Sequence, residues 1–467
     1  MWGADRGAAS FERLREHTRA LASEVRVLVD QAARDPRTAP LVPVLRAEVL
    51  SPLEAVLADA TAPSPQAMAV LADASRVLGR RFAGLERAVR ERALEPAAYL
   101  GETDALADAV LAPLRLLAAQ EGAPWEIDQV VTTSASGAAP VWVSRAARAA
   151  VVRVSPAAAR SIEPWVEVAE NVGRAVYRAD DTFRASLARA LGVPLDETLY
   201  VPSDPYAYER VGGAVLFGPW GERLFADVFA TVTLGPAYVA RLRRAAGGWN
   251  ADQRADAAAA ARASGRFDAT PPAHLRMWMA CRTLDALGCH GEARAEWEAW
   301  AAARPDLDAF HLPAAGGVWV RAPLAYLYEP GAVWVDHLTS LEAAIFAQRS
   351  LVTTPGLAYL GAARAEVERA IPHLLAGRAV HADPRWIVAA AMAAGAGEGE
   401  ASRAVFDAVR RSIAGAGEAD THASATWARG AAALEARRSL GASVRAASRD
   451  RARLRAAVVL GEALGPR

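Results

Sequence analysis

The sequence predicts a mainly α-helical fold with a small β-sheet, an α+β architecture, and three observations predict it. Long windows rich in alanine and arginine, both good helix formers, carry apolar residues three and four apart. Only the stretch from Ile127 to Val154 changes to short β-branched runs, the signature of strands. Gly122, Gly192-Val193-Pro194 and Gly235-Pro236 punctuate these segments, as breakers should.

From Ser10, a candidate N-cap, the apolar residues Phe11, Leu14, Leu21, Val25 and Leu28 form one stripe with Thr18 in the gap. Residues 41–60 read as helix interrupted at Ser51-Pro52. Ser64-Pro65 opens a further helix whose stripe is Met68, Leu71, Leu78, Phe82, Leu85 and Val89. A helix over 103–121 stops at Gly122. Residues 1–122 therefore form a helical region, and stripes this short favour packing within one bundle over an extended coiled coil.

Strands follow at 127–133, 141–144 and 150–154. Ser155-Pro156 then leads to a helix over 164–177 with Trp165, Val168, Val172, Ala175 and Val176 on its buried face. A helix over 181–191 ends at Gly192-Val193-Pro194, and 194–219 reads as an irregular connection. The next helix runs from Trp220 to Leu234 and is broken by Gly235-Pro236. Helices over 251–263 and 272–287 complete a second region, 123–300. The third region, 301–467, is expected to be helical, with an irregular passage at 312–333 and helices over 341–349, 357–375, 384–393, 401–413 and 423–440. A Gly-rich hinge at 395–399 and a basic amphipathic tail from Val444 to Arg467 complete it. No internal repeat keeps a register.

Fifty-three basic residues balance fifty-three acidic ones, so no global field draws the chain to nucleic acid or anionic lipid. Every basic side chain is an arginine, since the sequence has no lysine, and a bias of composition accounts for that. Cys281 and Cys289 have neither metal-knuckle nor redox spacing and read as buried, reduced thiols. The first residues, Met1-Trp2-Gly3-Ala4-Asp5-Arg6, lead into no apolar signal segment, and no apolar run is long enough to span a bilayer. A soluble, cytoplasmic protein with no membrane span is expected. The 13 tryptophans sit mostly at apolar helix or strand positions and read as core.

Three motifs bear on chemistry. Trp165-Val166-Glu167-Val168-Ala169-Glu170-Asn171-Val172-Gly173-Arg174 is followed by Trp220-Gly221-Glu222-Arg223-Leu224-Phe225-Ala226-Asp227 and then by Gly235-Pro236-Ala237-Tyr238. In this order, after a small sheet and before Pro271-Pro272-Ala273-His274-Leu275-Arg276, they resemble a group of bacterial zincin-like metallopeptidases of the His-Glu-x-Gly-His type. The resemblance covers residues 123 to about 290 and implies a zincin-like core flanked by helical regions. It also implies a zinc held by two histidines and a third ligand from the second helix, with a glutamate as general base.

Each of those positions departs from the family pattern. Aligned on Gly173, the first histidine falls on Glu170, the glutamate on Asn171 and the second histidine on Arg174. Aligned on Asp227, the third ligand falls on Arg223. A guanidinium has no lone pair to offer a metal, so the resemblance is to a degenerate member with no catalytic residues, no metal and no cofactor. Glu170, Asn171, Arg174, Glu222, Arg223 and Asp227 are its vestigial site positions. Arg174 is expected to stand where the metal's charge would be, held by Glu170 and by Glu222 or Asp227. The alternative is an ordinary solvated Glu170–Arg174 pair four residues apart.

The functional expectation is a catalytically inactive metallopeptidase-like protein acting as a protein-binding or assembly module. Its partners would be other proteins, as a homo-oligomer or a subunit of an assembly, and not nucleic acid. Two alternatives stand beside it: a structural subunit of a larger bacterial complex, and a hydrolase with non-standard metal ligands such as Glu222, Asp227 and His274.

Overall fold

A computed structural model of the chain describes residues 2–94, 99–134, 141–191, 214–247, 271–303, 309–314, 318–395 and 400–416. Residues 1–417 form one compact unit, and 418–467 form a second that lies outside the described residues. The expected helices over 251–263 and 423–440, the tail from Val444, the hinge beyond Gly395 and most of the connection at 194–219 also lie outside them.

The N-terminal region is helical. Helix α1 (Trp2–Ala32) packs against α3 (Pro65–Ala93), and between them short helical turns from Ala39 lead into α2 (Ser51–Asp59). Ser10 does not cap α1: the helix begins at Trp2, because Ala-rich sequence continues it upstream, and the Ser10 hydroxyl instead accepts from Arg13. Ser64 does cap α3, its hydroxyl accepting from the Ala67 amide. Thr18, the polar member of the α1 stripe, is buried and its hydroxyl pairs with Ser75 of α3 at 2.8 Å, so the gap in the apolar pattern is satisfied across the interface. Helix α4 (Tyr99–Glu121) ends, as its sequence predicts, at Gly122 in the left-handed conformation, φ 68°.

The three-stranded sheet holds β1 (Gln129–Thr133), β2 (Val141–Ser144) and β3 (Ala149–Arg153) in the order β1-β3-β2. β3 pairs in parallel with β1, Gln129 opposite Ala149, and antiparallel with β2, Val141 opposite Val152. Its two faces serve two cores. Val131, Ala149 and Val151 join the N-terminal helices, while Val130, Ala150 and Val152 join the main core. Alternation of side chains along a strand produces this division, and burial on both faces explains why the strands are rich in valine.

The main core runs from Tyr99 to Ile413. Behind the sheet lie α5 (Val166–Ala179) and α6 (Asp181–Leu191), then α7 (Ala214–Leu234), α8 (Pro236–Gly247), α9 (Ala273–Ala286) and α10 (His290–Ala302). Helix α7 begins six residues before Trp220, so residues 214–219 are helical and not irregular as the sequence suggests. Two further expectations fail. Strand β4 (Ala309–Ala314) pairs antiparallel with β5 (Val318–Pro323), followed by α11 (Ala325–Ser340), where an irregular passage is expected. Residues 341–349 form no helix but a single 3-10 turn closed by an Ala343–Arg349 bridge, with Ala347 and Gln348 at positive φ. Helices α12 (Gly361–Leu375), which starts four residues later than expected, α13 (Pro384–Ala393) and α14 (Glu400–Ala416) follow. The fold is thus mainly helical with small sheets. Among the described residues no helix is long and apolar enough to cross a membrane.

Candidate functional site

The most extensive helix–helix contact in the fold is between α5 and α7, and Gly173 allows it. A β-carbon there would lie 2.9 Å from the Phe229 ring and 3.1 Å from the Ala226 Cα, so only hydrogen fits. At the far end of α7, Gly235 (φ 60°) turns the chain beneath the Tyr359 ring, and Pro236 starts α8 back toward α5. These two glycines bring polar residues of three helices together.

Glu167, Glu170, Asn171, Arg174 and Arg178 recur at helical spacing along one side of α5. Glu222, Arg223 and Asp227 come from α7, Tyr238 and Arg241 from α8, Arg276 from α9, and Arg153 from the end of β3. At the centre Arg276 and Asp227, both wholly buried, form a two-pronged pair. Arg276 Nε donates to Asp227 Oδ2 at 2.7 Å and Nη2 to Oδ1 at 2.6 Å. Tyr238 donates its hydroxyl to Asp227 Oδ1, and the hydroxyl oxygen of Tyr238 lies 3.1 Å from Glu170 Oε2.

Glu170 is 4% exposed, and three guanidiniums surround it: Arg223 at 2.9 Å, Arg241 at 3.5 Å and Arg276 at 3.6 Å. Burial alone would raise its pKa, but these cations and the more distant Arg174 outweigh burial and hold the carboxyl down at about 2. Burial and the neighbouring carboxylates push the Tyr238 phenol well above its usual range, so it stays a neutral donor. Burial would also lower Arg276, yet the Asp227 carboxylate overcomes it and the guanidinium is held more firmly charged than usual. Arg223 goes the other way: burial, then the like charge of Arg276, lowers its pKa.

A cavity of about 200 Å³ opens beside this cluster. Arg153, Arg223, Arg241, Glu167, Glu170 and Asn171 line it, with Ser155 at one side. Glu170 and Arg241, 4% and 12% exposed, lie deepest, while Arg223 and Glu167, 28% and 27% exposed, stand nearer the mouth. Arg241 also pairs with Glu167. Asn171 donates its side-chain amide to the Arg153 carbonyl at 2.6 Å, which ties α5 to the strand end.

The structure gathers all six sequence-predicted positions into this region but reassigns their pairings. Arg174 is not held by Glu170. Its Nε reaches Glu222 Oε1 at 2.6 Å, and Arg178 takes the other oxygen at 2.8 Å. Nor is Arg174 an ordinary solvated residue, being 14% exposed. The cation beside both central carboxylates is Arg276, which sequence reasoning did not single out. Its signal was a charge embedded among Leu275, Met277 and Met279, all buried. Tyr238 was visible only as the end of its Gly-Pro-Ala-Tyr motif.

His274 has both ring nitrogens committed, Nε2 to the Tyr328 hydroxyl at 2.7 Å and Nδ1 accepting from Trp300 at 3.1 Å. Cys281 and Cys289 are buried and unpaired with each other, and burial, with Glu296 nearby, pushes the Cys281 thiol up to about 12, far from a reactive thiolate. Among the described residues no three His, Cys, Asp or Glu side chains converge as metal ligands would. No protein-family model, no curated protein and no solved structure matches this chain.

Proposed function

We propose that the chain is a catalytically inactive metallopeptidase-like protein whose cleft between α5 and α7 binds part of another protein. The observation that carries this reading is the setting of Glu170, lodged among Arg223, Arg241 and Arg276. The resemblance requires a zinc at this point, and the residues present do not fit one. Of the positions that would supply ligands, two carry guanidiniums without a lone pair, and the Glu170 carboxylate is already paired with Arg223, Arg241 and Arg276. Four positive side chains, Arg174, Arg223, Arg241 and Arg276, would repel a dication there. What remains is a concave, charged surface held rigid by buried pairs, suited to recognising a polar segment of a partner.

The test is elemental analysis of the purified protein together with an assay of peptide hydrolysis. Zinc far below one equivalent per chain and no hydrolysis above a blank are expected. One tightly held zinc per chain, with peptide hydrolysis that stops on chelation, would overturn the reading.

A further inference from the structure

Helix α3 is apolar on two sides. Leu71, Leu78, Phe82, Leu85 and Val89 are buried in the N-terminal cores. Val70, Val77 and Gly84 recur every seven residues, nearly two turns, along a second line on which Val70 is 46% exposed and Gly84 is exposed. Ala69, Val70, Asp73, Ala74, Val77 and Leu78 line a shallow hollow there. A β-carbon built on Gly84 would have no heavy atom within 4 Å. The charges along this line are ordered: Asp73 stands four residues before Val77, and Arg80 and Arg81 stand three and four after it, all exposed. Asp73 pairs with Arg76 one turn on, both more than half exposed, and Arg81 pairs with Glu48 at 3.0 Å. Exposed pairs of this kind contribute little, so these groups can turn to a new partner.

We propose that this face binds a second copy of the chain, α3 against α3, antiparallel across a two-fold axis at Val77. A mate running the opposite way sets each residue against the one equally far from Val77 on the other side. Val70, seven before, then falls on Gly84, seven after, where the missing side chain leaves room for it. Asp73 falls on Arg81, with Arg80 beside it. The two-fold axis makes each of these contacts twice. A parallel mate would set Asp73 against Asp73 and Arg80 against Arg80, so the order of charge selects the antiparallel copy. One helix pair is at the small end of interface sizes, so the dimer is weak, with a dissociation constant of about 10–100 µM. Pairing through α3 uses none of the residues of the cleft between α5 and α7.

Sedimentation velocity of the full chain, from about 1 to about 200 µM so as to span that constant, tests it. The chain is expected to pass from monomer to dimer across the range. Asp73→Arg should weaken the dimer at least about tenfold, because a cation then faces Arg80 and Arg81 of the mate. The double variant Arg80→Asp with Arg81→Asp should weaken it as much, because carboxylates then face Asp73. An equimolar mixture of the two variants should recover the dimer, since opposite charges meet again at both contacts. The mixture decides the matter even if one variant is less stable, because a lost fold would not be restored by adding the other. A monomer at every concentration, a dimer indifferent to both variants, or a mixture no more dimeric than its components would each overturn the proposal.

Discussion

Among the described residues, Arg92–Asp104 and Arg276–Asp227 are buried arginine–aspartate pairs that tie separate elements together, and only the second touches, through Glu170, the lining of a cavity. Arg92 of α3, 4% exposed, donates to Asp104 of α4 through two nitrogens, to the Thr132 carbonyl of β1 at 2.6 Å, and to the Arg37 carbonyl. Asp104 in turn accepts from the Thr132 amide at 2.6 Å and its hydroxyl at 2.7 Å. One cation meets one anion there, backbone groups take up the remaining capacity, and the pair fastens two helices to a strand. The Arg276–Asp227 pair is buried more deeply and shares its surroundings with Glu170, Arg223, Arg241 and Tyr238. An isolated pair is a fastener, whereas a shared one couples several side chains.

Breaking each pair measures the difference, and the effect should be the largest of any single change here. Arg276→Met leaves Asp227 buried without its cation and should cost about 3–5 kcal/mol, as should Arg92→Met. The two separate in the double variants. Removing both partners at the fastener, Arg92→Met with Asp104→Leu, should recover most of that loss, because no other charge depends on them. Arg276→Met with Asp227→Leu should recover less, because Glu170 and Tyr238 lose a shared neighbour. Denaturant midpoints of the four variants check this, and equal recovery would show that the cleft is no more coupled than the fastener.

Acid sharpens the comparison next. With the Glu170 carboxyl lowered from 4.5 to about 2 in the fold, the unfolded chain binds a proton at a higher pH than the folded one. The stabilisation is therefore complete above the ordinary carboxylate range and is lost as the pH falls from about 4.5 toward about 2. At most about 3 kcal/mol is at stake. Glu170→Gln should flatten that part of the stability–pH curve, while its stability at neutral pH falls. An unchanged acid limb in the variant would assign the loss to other carboxylates.

Much of the fold was legible in the sequence because its signals are local. The α5 stripe, the valine-rich strands, the Gly235-Pro236 break and the Ser64 cap each depend on residues a few positions apart. The pairing of β4 with β5 was not legible, since Phe310-His311-Leu312-Pro313 carries a proline and no β-branched run. Residues 341–349 look helical in composition, but their conformation depends on the bridge from Ala343 to Arg349 and on two residues at positive φ. At the cleft, the sequence placed Glu170, Arg174, Glu222 and Arg223 on facing helices, because two motifs carried them there. It could not choose their partners. Arg276 reaches Asp227 from 49 residues away, and a pairing at that distance leaves no trace in the spacing of one sequence.

Packing at Gly173 comes third in expected size. Gly173→Ala pushes a methyl group into Phe229 and the Ala226 backbone, and should cost about 1–3 kcal/mol despite the better helix propensity of alanine. By parting α5 from α7 it should also loosen the Glu170–Arg223 pair and shrink the acid limb that Glu170 supplies, which no substitution at the Arg92 fastener should do. Thermal unfolding at neutral pH and across the acid range separates the two readouts.

The smallest effect expected is at Arg174, and it decides which cation matters. If Arg174 stood in for a metal between the two helices, its loss would strand a buried carboxylate and cost as much as the loss of Arg276. The geometry gives it a different place. Its partner Glu222 keeps a second cation, Arg178, at 2.8 Å, and Glu222 is 22% exposed, so water and Arg178 can both take up the vacated oxygen. Arg174→Met keeps an unbranched apolar stem along α5 and removes the guanidinium with its bond to Glu222. The cost should therefore be no more than about 1 kcal/mol, with the depressed Glu170 carboxyl hardly changed, since Arg174 is the last of the four cations acting on it. A loss matching that of Arg276→Met would move the centre of the cluster from α9 back to α5.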